Sequence, residues 1–467
     1  MLGEDILFLS VTELSARIKA GKLSPVELAQ SYLERSRAIG PRLNAYVTLT
    51  EKLALDQARA AEKEIAAGKY RGPLHGIPYA AKDLLAVKGY PTTWGARPYA
   101  NQHFDYDATV IRKLTAAGAV LLGKAAMIEL AGGMGYRYAS ASATGPAKNP
   151  WNTNCWTCGS SSGSGAIMAA GLAAFALGTE TWGSIICPSG FTGTTGLRPT
   201  FGRVSRYGAM ALAYSMDKIG PMCRTAEDCD LVLQTISGHD PQDLGSLPEN
   251  QAHYNGAGQS SARLRLGWMT NQWKKIDPAV EQAVNTARKV LENEPSLSIV
   301  NVVLPEGPWE TAAGVVVSVE GASAFRSLIE SGGVEQLNDP LGKIGGYMNE
   351  EISASDFILA QRIRGLLEKR MDAVFAQADV LVAASLPVTA TTLDANLDDA
   401  LSFPDPIGGI GNFCGLPALS VPCGFGHQGT PVGLQFVGAP LAEDKLVQVA
   451  RLFQSRTKWH TQHPKLT

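Results

Sequence analysis

The chain has 467 residues, of which 45% are hydrophobic and 18% charged, as is typical of a globular protein with a large core. Its formal net charge is −2 and its basic residues form no block, which argues against a nucleic-acid partner. No apolar stretch is long enough to span a bilayer, and the N-terminus is acidic where a secretory signal needs positive charge. We therefore expect a cytoplasmic protein without a membrane partner.

Seven cysteines, spread from Cys155 to Cys423, are an odd number for a disulfide framework and suit a reducing compartment. Cys155 and Cys158 form a lone C-x-x-C. No second pair or histidine set accompanies it, so we interpret these residues as two loop cysteines and expect no metal and no cofactor.

The N-terminal part of the chain has strong helix signals. Capping patterns begin at Ser10 and at Ser24, and they predict two helices over about residues 10–40. Residues 45–50 have a strand-like pattern, and residues 52–67 consist of good helix formers. This part of the chain is interpreted as scaffold.

Lys82 follows the apolar strand predicted over residues 77–81 and precedes Asp83. A lysine at the end of a buried strand is poorly solvated. The ordinary interpretation is that its amine reaches solvent or pairs with Asp83, and its surroundings alone do not decide against that.

The stretch from Cys158 to Ser205 is rich in glycine and hydroxyl residues. Two turns, at residues 159–165 and 178–183, flank an apolar segment at 166–177 that predicts a buried helix of about three turns. Glycine-rich turns allow backbone N–H groups to approach a ligand closely. Such turns are typical of catalytic sites.

The rest of the chain alternates between helix and strand patterns, which predicts an α/β fold in one domain, 1–467. Residues 305–351 have weak periodicity, and either a variable pocket wall or plain surface helices would fit them. The predicted helices are 107–118, 225–237, 277–292, 356–377 and 443–454, and the predicted strands are 119–122, 262–268, 297–303, 380–385, 418–422 and 432–437.

Seven histidines are present, but none lies in a context typical of a Ser-His-Asp triad or a zinc hydrolase. The remaining candidates for chemistry are the serine-rich turns and Lys82. A neutral lysine can act as a general base if burial lowers its pKa.

Motifs along nearly the whole chain resemble the amidase signature family. They include H-G-I-P-Y-A-A-K-D ending at Asp83, G-A-V-L-L-G-K ending at Lys124, the central stretch, and G-L-P-A-L-S-V-P. The resemblance implies a single large mixed β-sheet covered by helices on both faces. It also implies amide hydrolysis by a triad of serine, cis-serine and lysine.

The resemblance assigns site residues by position. Ser184 falls at the nucleophile, Ser160 at the cis-serine that relays the proton, and Lys82 at the base. The oxyanion N–H groups belong to residues 181–184, and the substrate pocket is expected at a turn beside the site. The oxyanion-hole positions are Thr181, Trp182 and Gly183. The expected substrate-binding positions are Ala131, Gly132, Gly133 and Trp182.

The chain departs from the common family pattern close to Ser184. Trp182 stands where a glycine is usual, Ile186 where an arginine is usual, Ser162 for glycine and Glu180 for aspartate. The indole of Trp182 either lines the substrate pocket or packs into the core. The loss of arginine together with Glu180 suggests that an ion pair supporting the site has been rebuilt.

The resemblance implies an amidohydrolase and does not select among aryl amides, oligoamides, peptide amides and carbamates, so a urethanase is one candidate. The alternative is the amidase subunit of a tRNA-dependent amidotransferase, which the departures near Ser184 disfavour. An inactive binding protein is disfavoured because all three triad positions are filled. We expect a small-molecule amide or carbamate substrate, no nucleic acid, and a monomer or homodimer.

Overall fold

A mixed β-sheet forms the centre of the computed structural model, which describes residues 2–258, 263–271 and 273–466. In this described part, eleven strands form the sheet in the order β1-β3-β2-β6-β8-β7-β12-β13-β11-β9-β10, and β4 and β5 form a separate pair. The strands are β1 Tyr46–Leu49, β2 Pro78–Lys82, β3 Val120–Ala125, β4 Lys148–Asn149, β5 Asn152–Trp156, β6 Phe175–Glu180, β7 Thr195–Arg198, β8 Lys218–Cys223, β9 Leu264–Met269, β10 Leu297–Val302, β11 Val380–Ala384, β12 Ala418–Phe425 and β13 Pro431–Gly438.

Both faces of the central sheet are covered. Successive strand residues point to opposite faces, and every residue of β2, β3, β6, β8 and β11 is buried. The predicted fold class, an α/β fold with one large mixed sheet and helices on both faces, is confirmed.

Helices fill the segments between the strands. They are α1 Glu4–Leu7, α2 Val11–Lys19, α3 Pro25–Leu43, α4 Glu51–Ala66, α5 Thr109–Ala116, α6 Ser162–Ala170, α7 Ile186–Thr192, α8 Ala226–Ile236, α9 Glu249–Ala252, α10 Pro278–Glu292, α11 Trp309–Ala324, α12 Arg326–Glu330, α13 Pro340–Glu350, α14 Ala354–Phe375, α15 Leu397–Ala400, α16 Pro406–Phe413 and α17 Glu443–Arg456. Within the residues described, no helix is both long and apolar enough to span a membrane.

Most predicted elements lie within a few residues of those observed. The capping box at Ser10 opens α2, with its hydroxyl accepting the N–H of Glu13. The second N-terminal helix continues past the predicted end at Gly40 to Leu43, whose side chain is buried in the core. The predicted strand 262–268 corresponds to β9, although Ala262 itself lies outside the described residues.

The predicted helix over residues 166–177 is wrong in its bounds. Helix α6 begins four residues earlier and ends before Gly171, which has φ 65°, in the left-handed region that favours glycine. Residues 175–177 belong to β6, where Phe175 pairs with Tyr79 of β2. Sheet pairing of these apolar residues prevails over their capacity to extend a helix.

The sheet order brings the ends of β2 and β6 together. The two strands are neighbours and parallel, with Ala81 opposite Leu177, so both end at the same edge of the sheet. Lys82 is the last residue of β2, and Ser184 follows β6 by four residues. Two segments far apart in sequence therefore meet here.

A buried ion pair joins β3 to the segment after β2. The Lys124 ammonium lies 2.8 Å from the Asp83 carboxylate, and neither side chain is exposed. Asp83 also accepts the backbone N–H of Thr93, at 3.0 Å. This network occupies Asp83, so the possible pairing of Lys82 with Asp83 does not occur.

We expect Lys124→Met to destabilise the protein by about 3–5 kcal/mol, because it leaves the Asp83 carboxylate buried without a cation. The matched control is Lys445→Met. Lys445 is 39% exposed and lies 3.3 Å from Asp379, so its loss costs about 0–1 kcal/mol. Urea unfolding midpoints at one pH measure both changes, and equal midpoints for the two variants would contradict the prediction.

Candidate active site

Three side chains meet beyond the ends of β2 and β6. The Lys82 amine donates to Ser160 Oγ at 2.7 Å, and Ser160 Oγ donates to Ser184 Oγ at 2.9 Å. All three residues are buried, and Ser184 is 7% exposed. The structure thus forms a continuous hydrogen-bonded chain from an amine through two hydroxyls.

Each serine is fixed by its backbone. The Gly159–Ser160 peptide bond is cis, and the Ser160 carbonyl accepts the N–H of Ile128 at 3.1 Å. The Ser161 N–H donates to the carbonyl of Ser184 at 3.4 Å. These contacts join the two serine-bearing segments to each other and to the segment after β3.

The surroundings of Lys82 favour its neutral form. Its amine also donates to Thr179 Oγ1 at 2.9 Å, so its nearest acceptors are neutral hydroxyls. Burial lowers the pKa of Lys82 to about 7, and the more distant charges of Asp217 and Glu180 only partly oppose this effect. Near neutral pH a substantial fraction of the amine therefore has a free lone pair.

The loop before Ser184 presents backbone donors. Within the described part of the chain, the N–H groups of Trp182, Gly183 and Ser184 have no protein acceptor. Gly183 has φ 82°, whereas Trp182 is not among the residues with positive φ. The strained position of this loop is therefore occupied by glycine, and position 182 accepts a side chain.

The buried Glu180 carboxylate holds this loop in place. Its carboxylate accepts the N–H groups of Ile185 and Ile186 at 2.7 and 2.9 Å and pairs with Arg198 at 2.6 Å. Burial alone would raise its pKa, but the Arg198 charge and these hydrogen bonds hold the pKa of Glu180 below its ordinary value. Asn412 donates to the same carboxylate at 3.0 Å, which ties it to α16.

The indole of Trp182 is half-buried and lies against α16. Its Nε1 donates to Asp405 at 3.1 Å, and a side chain added at Gly409 would come within 3.2 Å of the ring. Burial raises the pKa of Asp405 to about 6, and the nearby Glu310 contributes in the same direction. The ring is thus anchored at its edge and is not part of the deep core.

The predicted substrate-binding turn lies beside the site. Ala131 has φ 54°, and it lines a cavity of about 280 Å³ together with Thr179 and Thr181. Gly132, Gly133 and Trp182 do not line this cavity. Of the four predicted substrate-binding residues, the structure therefore brings Ala131 alone to this cavity.

Residues 305–351 form α11, α12 and α13, and they pack on the same turn. The Glu129 carboxylate accepts the N–H groups of Asn338 and Asp339, each at 3.0 Å. Asn349 donates to the Gly133 carbonyl at 3.3 Å. These contacts place the segment against the predicted pocket turn.

Sequence reasoning missed two residues of the site. Thr179 contacts Lys82, and Asp405 contacts Trp182. Thr179 lies near the end of β6, and the pairing of two parallel strands that both end at the site could have indicated it. Asp405 is 223 positions from Trp182, and nothing in the sequence indicates that contact. Among the residues described, no cluster of three or more acidic, histidine or cysteine side chains is placed to hold a metal.

Comparisons with known proteins agree on one family. A family model described as Amidase matches residues 27–447. The A subunit of the glutamyl-tRNA(Gln) amidotransferase of Chloroflexus aurantiacus is 37% identical, with 99% of each chain covered. The structure of a peptide amidase from Stenotrophomonas maltophilia is similar at 30% identity and a TM-score of 0.83, covering 96% of this chain and 97% of that one.

A third comparison also concerns part of an amidotransferase. The structure of the A subunit of the glutamyl-tRNA(Gln) amidotransferase from Thermotoga maritima is similar at 27% identity and a TM-score of 0.80, covering 99% of this chain and 98% of that one.

The expectation of a small-molecule substrate, no nucleic acid and a monomer or homodimer is wrong. It conflicts with the curated relatives, which are named as one subunit of an amidotransferase of glutamyl-tRNA(Gln). The near-neutral charge of the chain describes only its own surface. It does not bear on what other subunits of a complex bind.

We expect Lys82→Met to stabilise the protein, with a gain that is largest below pH 7. The amine titrates near pH 7 when folded and near pH 10 when unfolded, so the folded state of the wild type is penalised at low pH. The difference in free energy of unfolding between the variant and the wild type should shrink by roughly 1.4 kcal/mol for each pH unit between these two pKa values.

Urea unfolding at pH 6 and pH 9 measures this gap. Ser184→Ala keeps the lysine and is the control, since its stability should follow the wild type at both pH values. A Lys82→Met gap of equal size at pH 6 and pH 9 would show that the amine is not depressed in pKa.

Proposed function

This chain belongs to the amidase family, whose members act on C–N bonds, and we propose that it cleaves amides through an acyl-enzyme on Ser184. Lys82 acts as the base and Ser160 as the relay. The observation that carries the proposal is the unbroken hydrogen-bonded chain from the Lys82 amine through Ser160 to Ser184. A serine hydroxyl is a weak nucleophile until such a base removes its proton.

The relay can run in the required direction because hydroxyl hydrogens rotate. With a charged lysine, the Lys82 amine donates to Ser160 Oγ at 2.7 Å, and the Ser160 hydroxyl donates to Ser184 Oγ at 2.9 Å. With a neutral lysine, the amine accepts from Ser160, whose oxygen then accepts from Ser184. Attack on the carbonyl moves one proton along this path to Lys82, and the same path returns it to the leaving amine.

The tetrahedral intermediate needs donors for its oxyanion. The unpaired N–H groups of Trp182, Gly183 and Ser184 are suited to this role. One such donor contributes about 3 kcal/mol to transition-state stabilisation in comparable sites. The N–H groups of Ile185 and Ile186 donate to the Glu180 carboxylate. These hydrogen bonds hold the loop in place, so its N–H donors are positioned before substrate binds.

A second candidate function is the amidase subunit of a tRNA-dependent amidotransferase. The relatives that are 37% identical over 99% of the chain favour it over the narrower aryl-amide, oligoamide or carbamate hydrolase. The similarity to a peptide amidase structure supports the independent amidohydrolase. Both functions begin with the same attack by Ser184, and they differ in the amide used and in the fate of the released amine.

We expect Ser184→Ala and Lys82→Ala each to reduce amide cleavage by about 10⁴-fold or more, since residues acting as one unit fail together. Ser160→Ala should cost less, about 10²–10³-fold, because a water molecule can partly replace the relay. Ser420→Ala, which removes a buried hydroxyl bonded to Ser385, is the control and should retain activity. Steady-state rates on one amide substrate test this, and full activity of Ser184→Ala or Lys82→Ala would exclude the mechanism.

The isolated chain should distinguish the two functions. An independent amidohydrolase cleaves p-nitroanilides, oligoamides, peptide amides or aryl carbamates by itself. One component of an amidotransferase instead releases ammonia from glutamine, and only when the other subunits of such an enzyme are added. Activity of the isolated chain on the amide panel, with no response to added subunits, would exclude the second function.

A further inference from the structure

The cavity of about 280 Å³ lies on the lysine side of the candidate site. Thr179, whose hydroxyl accepts from the Lys82 amine at 2.9 Å, lines this cavity together with Thr181. Both threonines are buried, whereas Leu244, which lines the same cavity, is 92% exposed. The cavity therefore runs from the lysine of the site to the surface of the protein.

Much of the cavity wall is apolar. Ile219 of β8 lies opposite Thr179 of β6, and residues paired across antiparallel strands lie on the same face of a sheet. Ile219 therefore stands beside Thr179 at the buried end of the cavity. The apolar residues of the wall include Leu84, Ala131, Ala209, Met210, Leu212 and Ile219.

The charged groups of the wall already have protein partners. Arg206 pairs with Asp243 at 2.9 Å. Asp217 accepts two backbone N–H groups, at 2.8 and 3.1 Å, and the Lys218 amine donates to a backbone carbonyl. Because these charges are engaged within the protein, the wall suits a ligand group that is uncharged and mainly apolar.

The position of the cavity relates it to one end of an amide substrate. In the proposed acyl transfer, a bond forms between Ser184 Oγ and the carbonyl carbon, and the C–N bond breaks. The amine leaves with the proton that Ser184 gave up, which Lys82 returns through Ser160. The leaving nitrogen therefore lies on the lysine side of the carbonyl, and a substituent on it extends toward Thr179.

We propose that this cavity binds the leaving amine, so that the substrate is an N-substituted amide whose nitrogen carries one uncharged apolar group, such as a benzyl or phenyl ring. The assignment depends on the proposed amide cleavage. An apolar cavity of about 150 Å³ can hold a benzene ring, so this one has room for a ring and its linking carbon. Ammonia, the amine released from a primary amide, would leave most of the apolar wall uncovered.

The first test compares two amides of the same acid. The full chain is given the primary amides and the N-benzyl amides of acetic, hexanoic and benzoic acid, and kcat/KM is measured for each. Benzylamine and ammonia are similar in basicity, so the comparison reports mainly on binding of the ring. We expect a preference of about 10-fold or more for the N-benzyl amide, and a preference for the primary amides would overturn the proposal.

Two variants of Ile219 change the buried end of the cavity in opposite directions. Ile219→Phe fills it and should lower kcat/KM for the N-benzyl amide by about 10-fold or more, with the primary amide changed less than about 3-fold. Ile219→Ala enlarges it and should shift the preference toward an N-(2-naphthylmethyl) amide. If Ile219→Phe does not fold, Ile219→Ala alone decides.

The matched control is Ile236→Ala. Ile236 is a fully buried isoleucine of α8 that does not line the cavity. Its loss removes the same side-chain atoms from the core, but the ratios between the amides should stay at the wild-type values. Wild-type ratios in the Ile219 variants as well would overturn the proposal.

Binding of aniline tests the cavity without catalysis. Aniline is an uncharged aryl amine at neutral pH, and saturation-transfer NMR detects its binding to the full chain. We expect binding to wild type and to Ile236→Ala and a loss of binding to Ile219→Phe, or tighter binding of 2-naphthylamine to Ile219→Ala than to wild type. Binding that is the same in wild type and both Ile219 variants would overturn the proposal.

The two readouts separate failure of this proposal from failure of the proposed function. If no amide is cleaved, the proposed function fails, and aniline binding still decides whether the cavity holds an apolar amine. If amides are cleaved but the Ile219 variants keep the wild-type preferences, the cavity does not bind the leaving amine and the proposed function stands.

Discussion

Lys82 carries a buried amine whose nearest acceptors are hydroxyls and a carbonyl, and no carboxylate of the described residues contacts it. A carboxylate beside it would keep it charged and remove the lone pair that a base needs. The neighbouring residue, Asp83, is a carboxylate, and the structure directs it to Lys124 and Thr93 instead. The proposed role of Lys82 as a base thus depends on the ion pair that holds Asp83 beside Lys124.

The sheet explains why these groups meet, and much of it could be predicted. Helix caps, apolar strands and glycine stops depend on local sequence, so α2, α4, α10 and β11 were expected close to where they lie. The boundary between α6 and β6 was not, because an apolar, alanine-rich segment suits either a helix or a buried strand. Pairing with β2, about a hundred residues away, decides it.

The positions of the site residues came from long motifs, whereas the contacts between the site and its surroundings did not. The Glu180 carboxylate contacts Arg198 and Asn412, and the Trp182 anchor comes from Asp405. The Arg198 contact lies only 18 positions from Glu180 and fits the rebuilt ion pair expected from the sequence. Asn412 and Asp405, in contrast, lie 232 and 223 positions from their partners. Those two contacts arise from the packing of α16 and its N-terminal end against the loop before Ser184, and no local rule of sequence describes that packing.

The proposed oxyanion donors are backbone N–H groups, so at position 182 the proposed chemistry uses the backbone and leaves the side chain free for other contacts. The N–H of Trp182 needs only a permitted backbone conformation, which Gly183 supplies by taking the positive φ next to it. The side chain at 182 is therefore unconstrained by the reaction, and here it joins the loop to Asp405 and α16. Since Asp405 lies near Glu310 of α11, the indole links the reacting centre to the 305–351 segment. The site can thus change the surface presented to a substrate while the serine and lysine groups remain in place.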